Sequence, residues 1–283
     1  MITNNPMQLK AFIKNKAIEK KISAQLVMQN YMLERLLERI SLSQYQHNFI
    51  LKGGFLISAI IGLDSRATMD LDTTIKGLNV THEDIRKIFI DICSVKIEDD
   101  IQFEIVSIID IREGDDYPGI RVVLKANYIP LSVPLTVDVT TGDKITPREI
   151  EYTFKLLFDE RTIKIMAYNL ESILAEKIET ILSRGIASTR PRDYYDIFAL
   201  SNLREPQYDI ATLKDALIAT ATKRGSIKSV LNYRAIINEI TNSSKQQKFW
   251  KKYQSDFDYA KDISFDELIN VIRNILNTLN LDK

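Results

Sequence analysis

The chain has few of the residues that make covalent or metal staples. Its 283 residues include one cysteine, Cys93, and two histidines, His47 and His82. A lone thiol excludes an internal disulfide framework and leads us to expect a reducing, cytoplasmic setting. One Cys and two His also rule out a structural zinc centre. Neither histidine has an acidic or cysteine neighbour at ligand spacing, so neither is assigned a role. A bound metal is therefore expected on oxygen ligands, which favours Mg2+ or Mn2+. No apolar run nears the roughly 18 residues of a membrane-spanning helix, and no membrane partner is expected. The N-terminal stretch lacks the apolar core and small-residue cleavage site of a secretory signal. Charge of one sign is not in excess either, with Lys plus Arg equal to Asp plus Glu at 38 each. A nucleic-acid partner would need a local basic patch. There is no internal repeat and no low-complexity tract.

What is there is the composition of a globular protein, 45% hydrophobic and 27% charged, at a length that holds two domains comfortably. Met7 to Lys20 reads as a helix. Ser23 reads as the N-cap of a longer one, with Leu26, Val27, Leu33, Leu36, Leu37 and Ile40 at helical spacing. Its Glu34, Arg35, Glu38 and Arg39 are expected to face water. A short apolar stretch from Asn48 to Lys52 leads into Gly53 and Gly54, followed by a buried helix to Gly62. Residues 70–75 alternate polar and apolar, as a half-buried strand does. Thr81 caps a helix to about Ser94. Residues 101–110, 120–128 and 131–139 are rich in Ile and Val and read as strands, with shorter ones near 152–157 and 162–166. After Asn169 only helical patterns remain, at 169–183, from Arg192, and at 211–222, 227–240, 245–257 and 264–279. The expected fold class is α+β. A mixed sheet with flanking helices occupies residues 1–168, and a helical bundle follows over residues 169–283.

The chemistry gathers between Lys52 and Asp72. Paired glycines at the start of a helix let bare backbone N–H groups approach a phosphate. Asp70 and Asp72, two apart on a strand, leave the same face. Two such carboxylates repel unless a cation sits between them, and a divalent metal bridging phosphate oxygens is the usual solution. Asp138 supplies a third carboxylate, in an otherwise apolar strand where an unpartnered charge is costly. Three carboxylates can hold two metals about 4 Å apart.

Plainer readings stand beside these. An Asp-x-Asp on a strand is often solvated surface. Lys177 could be a surface lysine paired with Glu176 or Glu179. Asp193, after Pro191, could favour a helix N-terminus through the macrodipole. Arg66 could clamp phosphate or partner a carboxylate. Lys245, Lys248, Lys251 and Lys252 surround Phe249, Trp250 and Tyr253. That pattern suits a nucleic-acid grip, but helical periodicity explains it as buried aromatics beneath a solvated lysine face.

The ordered set of motifs resembles the nucleotidyltransferase fold of the DNA polymerase beta superfamily, and within it the AbiEii/AbiGii group of abortive-infection toxins. The matching stretches are Phe49-Ile-Leu-Lys-Gly-Gly54, Arg66-x-Thr68-x-Asp70-x-Asp72, Glu176-Lys177-x-Glu179-Thr180 and Arg190-x-Arg192-Asp193-Tyr-Tyr-Asp196. They span residues 20–205, and the helical tail beyond carries no signature. The resemblance implies that Lys52, Gly53, Gly54, Arg66, Thr68 and Lys177 meet a nucleoside triphosphate. It implies that Asp70, Asp72 and Asp138 bind metal, and that Asp193 completes the site or orients Lys177. It further implies transfer of a nucleotide to RNA, with a tRNA 3′ end as the leading acceptor, and a cognate antitoxin encoded nearby. Growth arrest as a phage defence would follow. Phe55 departs from the superfamily, which has a hydroxyl residue there; either Lys52 or Ser58 compensates or nucleotide affinity is weaker. The rival readings are transfer to a protein and a catalytically silent nucleotide- or RNA-binding module.

Overall fold

The computed structural model describes residues 5–111, 119–204 and 207–281. The chain divides into two compact units, Met1–Asp143 with Ile150–Ala167, and Lys144–Glu149 with Tyr168–Lys283.

The first unit opens with α1 (Pro6–Lys20) and α2 (Ala24–Leu42). Pro6 presets the first helical turn of α1. The Ser23 hydroxyl accepts the Leu26 N–H of α2 at 3.1 Å, as its N-cap position predicts. β1 (Phe49–Lys52), α3 (Gly53–Ile61), β2 (Asp70–Ile75) and α4 (His82–Ser94) follow, then β3 (Gln102–Ile111), β4 (Gly119–Tyr128), β5 (Leu131–Thr141), β6 (Ile150–Lys155) and β7 (Thr162–Ala167). The strands make one sheet of order β3-β4-β5-β2-β1-β7-β6. The β2–β5 and β1–β7 pairs are parallel and the others antiparallel. The edge strand β3 slips register between Ile105 and Ser107, leaving Val106 out of the ladder and exposed.

Period-two alternation sorts the central strands into two faces. Leu71 and Ile75 of β2, Val122 and Leu124 of β4, and Val137 and Val139 of β5 are buried on one. On the helical side, α2 packs on β5 and β7, and α4 on β3. Each buried Leu, Ile or Val contributes about 1.5–3 kcal/mol through the hydrophobic effect. The opposite face carries Asp70, Asp72, Arg121 and Asp138.

One expectation fails here. Glu34, Arg35, Glu38 and Arg39 do not face water; all four are buried. Arg35 pairs with Glu34 at 2.7 Å and Glu38 at 2.6 Å, Arg39 with Asp99 at 2.7 Å, and Arg161 reaches Glu38 at 2.9 Å. The Glu34 carboxylate also accepts the Leu157 N–H at 2.5 Å. Helical spacing marks a second face but does not say what covers it. Here partners from 60 and 123 residues away in sequence neutralise it.

The second unit is helical, and no strand occurs among its described residues. It contains α5 (Leu170–Arg184), α6 (Pro191–Ser201), α7 (Ile210–Lys223), α8 (Ile227–Leu231), α9 (Tyr233–Asn242), α10 (Ser244–Asp256) and α11 (Phe265–Thr278). Asn169 caps α5 through Ser172 N–H at 2.8 Å, and Ser264 with Glu267 forms a capping box on α11. The single helix expected over 227–240 is two, because Asn232 interrupts it and serves as the N-cap of α9. Asparagine competes for backbone hydrogen bonds and is a poor helix-interior residue. On α10 the periodicity reading holds. Trp250 and Tyr253 are buried, stacked at 5.4 Å between ring centroids, while Lys245, Lys248, Lys251 and Lys252 are exposed.

Candidate active site

Strand register assembles a row of charge across the sheet. Arg121 of β4 pairs with Asp138 of β5, Asp138 with Asp72 of β2, and Asp72 with Lys52 of β1. Neighbouring strands lie about 4.8 Å apart, and directly paired residues leave the same face. The row therefore reads plus, minus, minus, plus. Asp70, two residues before Asp72, adds a third carboxylate to that face and is exposed.

Each end of the row is closed by an ion pair. Arg121 Nε and Nη2 donate to the two Asp138 carboxylate oxygens at 2.7 and 2.8 Å. That bond raises the Arg121 pKa above its ordinary value against partial burial, and the charges of Asp138, Asp70 and Asp72 add to the effect. Lys52, buried, pairs with Asp143, which also accepts from the Thr140 hydroxyl at 2.7 Å. The sequence reading named neither Arg121 nor Asp143. Arg121 breaks an apolar run in β4 just as Asp138 breaks one in β5, so the same signal was present. Asp143 lies just beyond β5, where a turn at Gly142 with φ of 74° redirects the chain.

The glycines do what their position suggests. Gly53 has φ of +65°, and a Cβ there would sit 2.1 Å from Asp72 Oδ2. Only glycine lets the chain turn this way so close to the carboxylate. The Gly54 N–H, at the first turn of α3, donates to Asp72 Oδ2 at 3.2 Å. A helix N-terminus and a carboxylate attract each other, so Asp72 now occupies the place where an anion fits. A Cβ on Gly54 would lie 2.8 Å from Thr68 Oγ1 and 3.0 Å from both terminal nitrogens of Arg66. Arg66 is buried and donates to Ala67 O at 2.6 Å, and Thr68 is also buried. The segment carrying them is fixed from α2, where Asn30 donates to Thr68 O at 2.8 Å and Gln29 to Met69 O at 3.1 Å. Phe55 turns away into the core and stacks on Phe154 at 5.7 Å and 6°. Its departure from a hydroxyl residue thus has a packing cause.

The donor chemistry fits a hard divalent cation: three carboxylates on adjacent strands with fixed backbones. Among the described residues no three His, Cys, Asp or Glu side chains converge on a common ion position. The hydrogen bonds explain this. Asp138 is turned to Arg121, and Asp72 to the Gly54 N–H.

In the second unit Glu176 and Glu179 are the neighbours of Lys177 along α5. Those two hold Arg224, at 3.0 and 2.5 Å. Lys177 Nζ lies 2.5 Å from Asp193 and 2.8 Å from Asp196, both almost fully buried. Arg190 adds a second cation 3.3 Å from Asp193. Asp193 thus lies in the first turn of α6, as a macrodipole partner would, and also grips Lys177. Asp196 stood in the motif but was assigned no role; its i+3 spacing from Asp193 places both on one helix side. A cavity of about 450 Å³, lined by Tyr233, Arg234, Asn238, Arg273 and Asn277 among others, contains none of the sequence-predicted residues. No helix among the described residues is long and apolar enough to cross a membrane.

Residues 35–271 match the family described as nucleotidyl transferase AbiEii toxin, Type IV TA system. No curated protein matches the chain. Among solved structures, a Helicobacter pylori protein described as a candidate nucleotidyltransferase is 15% identical, with TM-score 0.49, over 93% of this chain and 99% of that one. JHP933 from Helicobacter pylori is 15% identical, with TM-score 0.47, over 92% and 95%. An antigenic nucleotidyltransferase-like protein from Paracoccidioides brasiliensis is 19% identical, with TM-score 0.37, over 69% and 91%. At these identities and scores the structural likenesses carry no part of the functional reading.

Proposed function

The chain belongs to the AbiEii nucleotidyl transferase toxin family of Type IV toxin–antitoxin systems, and from that premise we propose that it transfers a nucleotidyl group from a nucleoside triphosphate to an RNA hydroxyl, with a tRNA 3′ end as the acceptor. The observation that carries this reading is the register-paired set of Asp72 and Asp138, with Asp70 on the same face. Asp70, Asp72 and Asp138 would hold Mg2+ or Mn2+. When bound, such a cation neutralises charge on the phosphates and acidifies the attacking hydroxyl. Gly53 and Gly54 leave the first turn of α3 without side chains, so its backbone N–H groups can receive phosphate oxygens once Asp72 turns from the Gly54 N–H to the metal. Arg66 and Thr68, packed against Gly54, hold that turn in place. The acceptor oxygen bonds to the α-phosphorus, the bond from that phosphorus to the bridging oxygen breaks, and pyrophosphate leaves.

The Lys177–Asp193–Asp196 cluster of the helical unit enters through the family resemblance, and loss of triphosphate affinity in Lys177→Met tests it. Family membership implies an antitoxin partner. Arrested translation, and through it phage defence, is the consequence of blocking tRNA ends.

The test is to incubate the purified chain with Mg2+, total tRNA and each α-labelled nucleoside triphosphate in turn, beside Asp70→Asn/Asp72→Asn. Label on tRNA with the wild type alone is the expected result. Label on protein instead would move the acceptor to a protein hydroxyl. No transfer with any triphosphate would leave a silent binding module.

A further inference from the structure

Arg121 belongs to none of the recognised motifs, yet it engages both oxygens of the third carboxylate. We propose that Arg121 is a positioning residue that holds Asp138 in place of a cation and makes the second of two cations bind only together with a polyphosphate. This rests on the metal-site reading above.

Lone pairs and charge carry the inference. A guanidinium fork meets a carboxylate edge-on and occupies both oxygens. A cation at Asp138 must take at least one of them. Turning Asp138 to offer another edge would break both of these hydrogen bonds. Its side chain is 17% exposed, and β5 lies between β2 and β4, paired with both. Arg121 can move, because its side chain is 40% exposed and sits on a half-open face. Once displaced, it needs a new anion. Neighbouring Asp70 and Asp72 would be committed to the first cation, and Asp143 already serves Lys52. The anion such a site admits is a polyphosphate chain. Arg121 thus holds Asp138 while the site is empty and passes to the phosphates when it fills. A merely structural arginine would be expected between two carboxylates in a closed core, as Arg35 is between Glu34 and Glu38.

The experiment counts bound Mn2+ by electron paramagnetic resonance on the full chain, stripped of metal, with and without inorganic tripolyphosphate. The wild type should bind one Mn2+ alone and a second when tripolyphosphate is added. Arg121→Gln should bind two without tripolyphosphate, the second at least about tenfold more tightly than in the wild type, since a unit positive charge a few ångströms away is removed. Arg121→Lys keeps the charge but not the fork and should fall between them. Circular dichroism checks that each variant folds, and the lysine form decides if the glutamine form does not. Identical titrations for wild type and variants, or two Mn2+ on the wild type without tripolyphosphate, would overturn the role of Arg121 while leaving the metal site standing. No Mn2+ on the wild type, or unchanged binding in Asp70→Asn/Asp72→Asn, would overturn the metal site itself and the inference with it.

Discussion

Around α2, the carboxylates Glu34, Glu38 and Asp99 are answered by the guanidiniums of Arg35, Arg39 and Arg161. On the outer face of the sheet, Asp70, Asp72 and Asp138 lie on adjacent strands, with Arg121 on Asp138, the Gly54 N–H on Asp72 and Lys52 paired with Asp143. The first group is buried apart from the half-exposed Arg161, and it matches three carboxylates with three guanidiniums. The second is half open and sets three carboxylates on one face of the sheet. The difference shows how burial decides the use of charge. A buried ion must be matched within the protein, because no solvent is there to do it. Carboxylates on a half-open face can gather because water solvates them and a bound cation can neutralise them. Charged clusters of similar composition therefore serve as scaffold in one place and as site in the other.

Substitutions can break that contrast. The largest expected effect is on transfer. Asp72→Asn should lower nucleotidyl transfer about a thousandfold or more, an effect typical of losing a ligand to a catalytic metal. Thermal unfolding should show no loss of stability, since a repelling charge is gone; a variant that unfolds early would make Asp72 part of the scaffold. Arg35→Ala should do the reverse. It strands Glu34 and Glu38 in the core, at a cost of about 3–5 kcal/mol read by urea denaturation. A loss under 1 kcal/mol would mean that the α2 network is not a matched buried set. Gly53→Ala lies between the two groups. The left-handed backbone and the clash with Asp72 should cost about 1–3 kcal/mol and weaken Mn2+ binding as well; loss of stability with metal affinity intact would detach the turn from the site.

The smallest expected effect is a pH slope. Burial is the main cause that pushes the Glu34 carboxyl up from 4.5 to about 7, against the lowering effects of Arg35 and the Leu157 N–H. Between those values the folded chain holds a proton there that the unfolded chain has released. The stabilisation from Glu34 is thus full below about 4.5 and falls as pH rises towards 7, by at most about 1.4 kcal/mol per unit. Urea unfolding at pH 5 and pH 7 should show a flatter slope for Glu34→Gln than for the wild type. Equal slopes would show that Glu34 stays ionised throughout.

Local pattern was legible in the sequence, and long-range pairing was not. The bounds of β2 follow from alternation alone, and Ser23, Thr81 and Asn169 mark helix starts through their side-chain oxygens. The placement of Asp70 and Asp72 on one face also follows from the period of a strand. That Asp138 is the residue beside Asp72 depends on a parallel pairing that leaves no local trace. The covering of α2 is of the same kind: Asp99 and Arg161 become its partners only once the chain has closed. Arg121 is the instructive miss, because a charge inside an apolar strand was the clue used for Asp138. The break at Asn232 was visible as a poor helix former, but the apolar spacing on either side concealed it.

The slipped register of β3 has one more consequence. This strand is an edge, and an edge offers unpaired N–H and C=O groups to any passing strand. Two runs of regular pairing remain, Gln102–Ile105 and Ser107–Ile111, on either side of Val106. A strand arriving at this border would meet a ladder broken near its middle, with extra twist at the break. The bulge therefore interrupts the template along the border of the sheet, which disfavours a second strand zipping onto it.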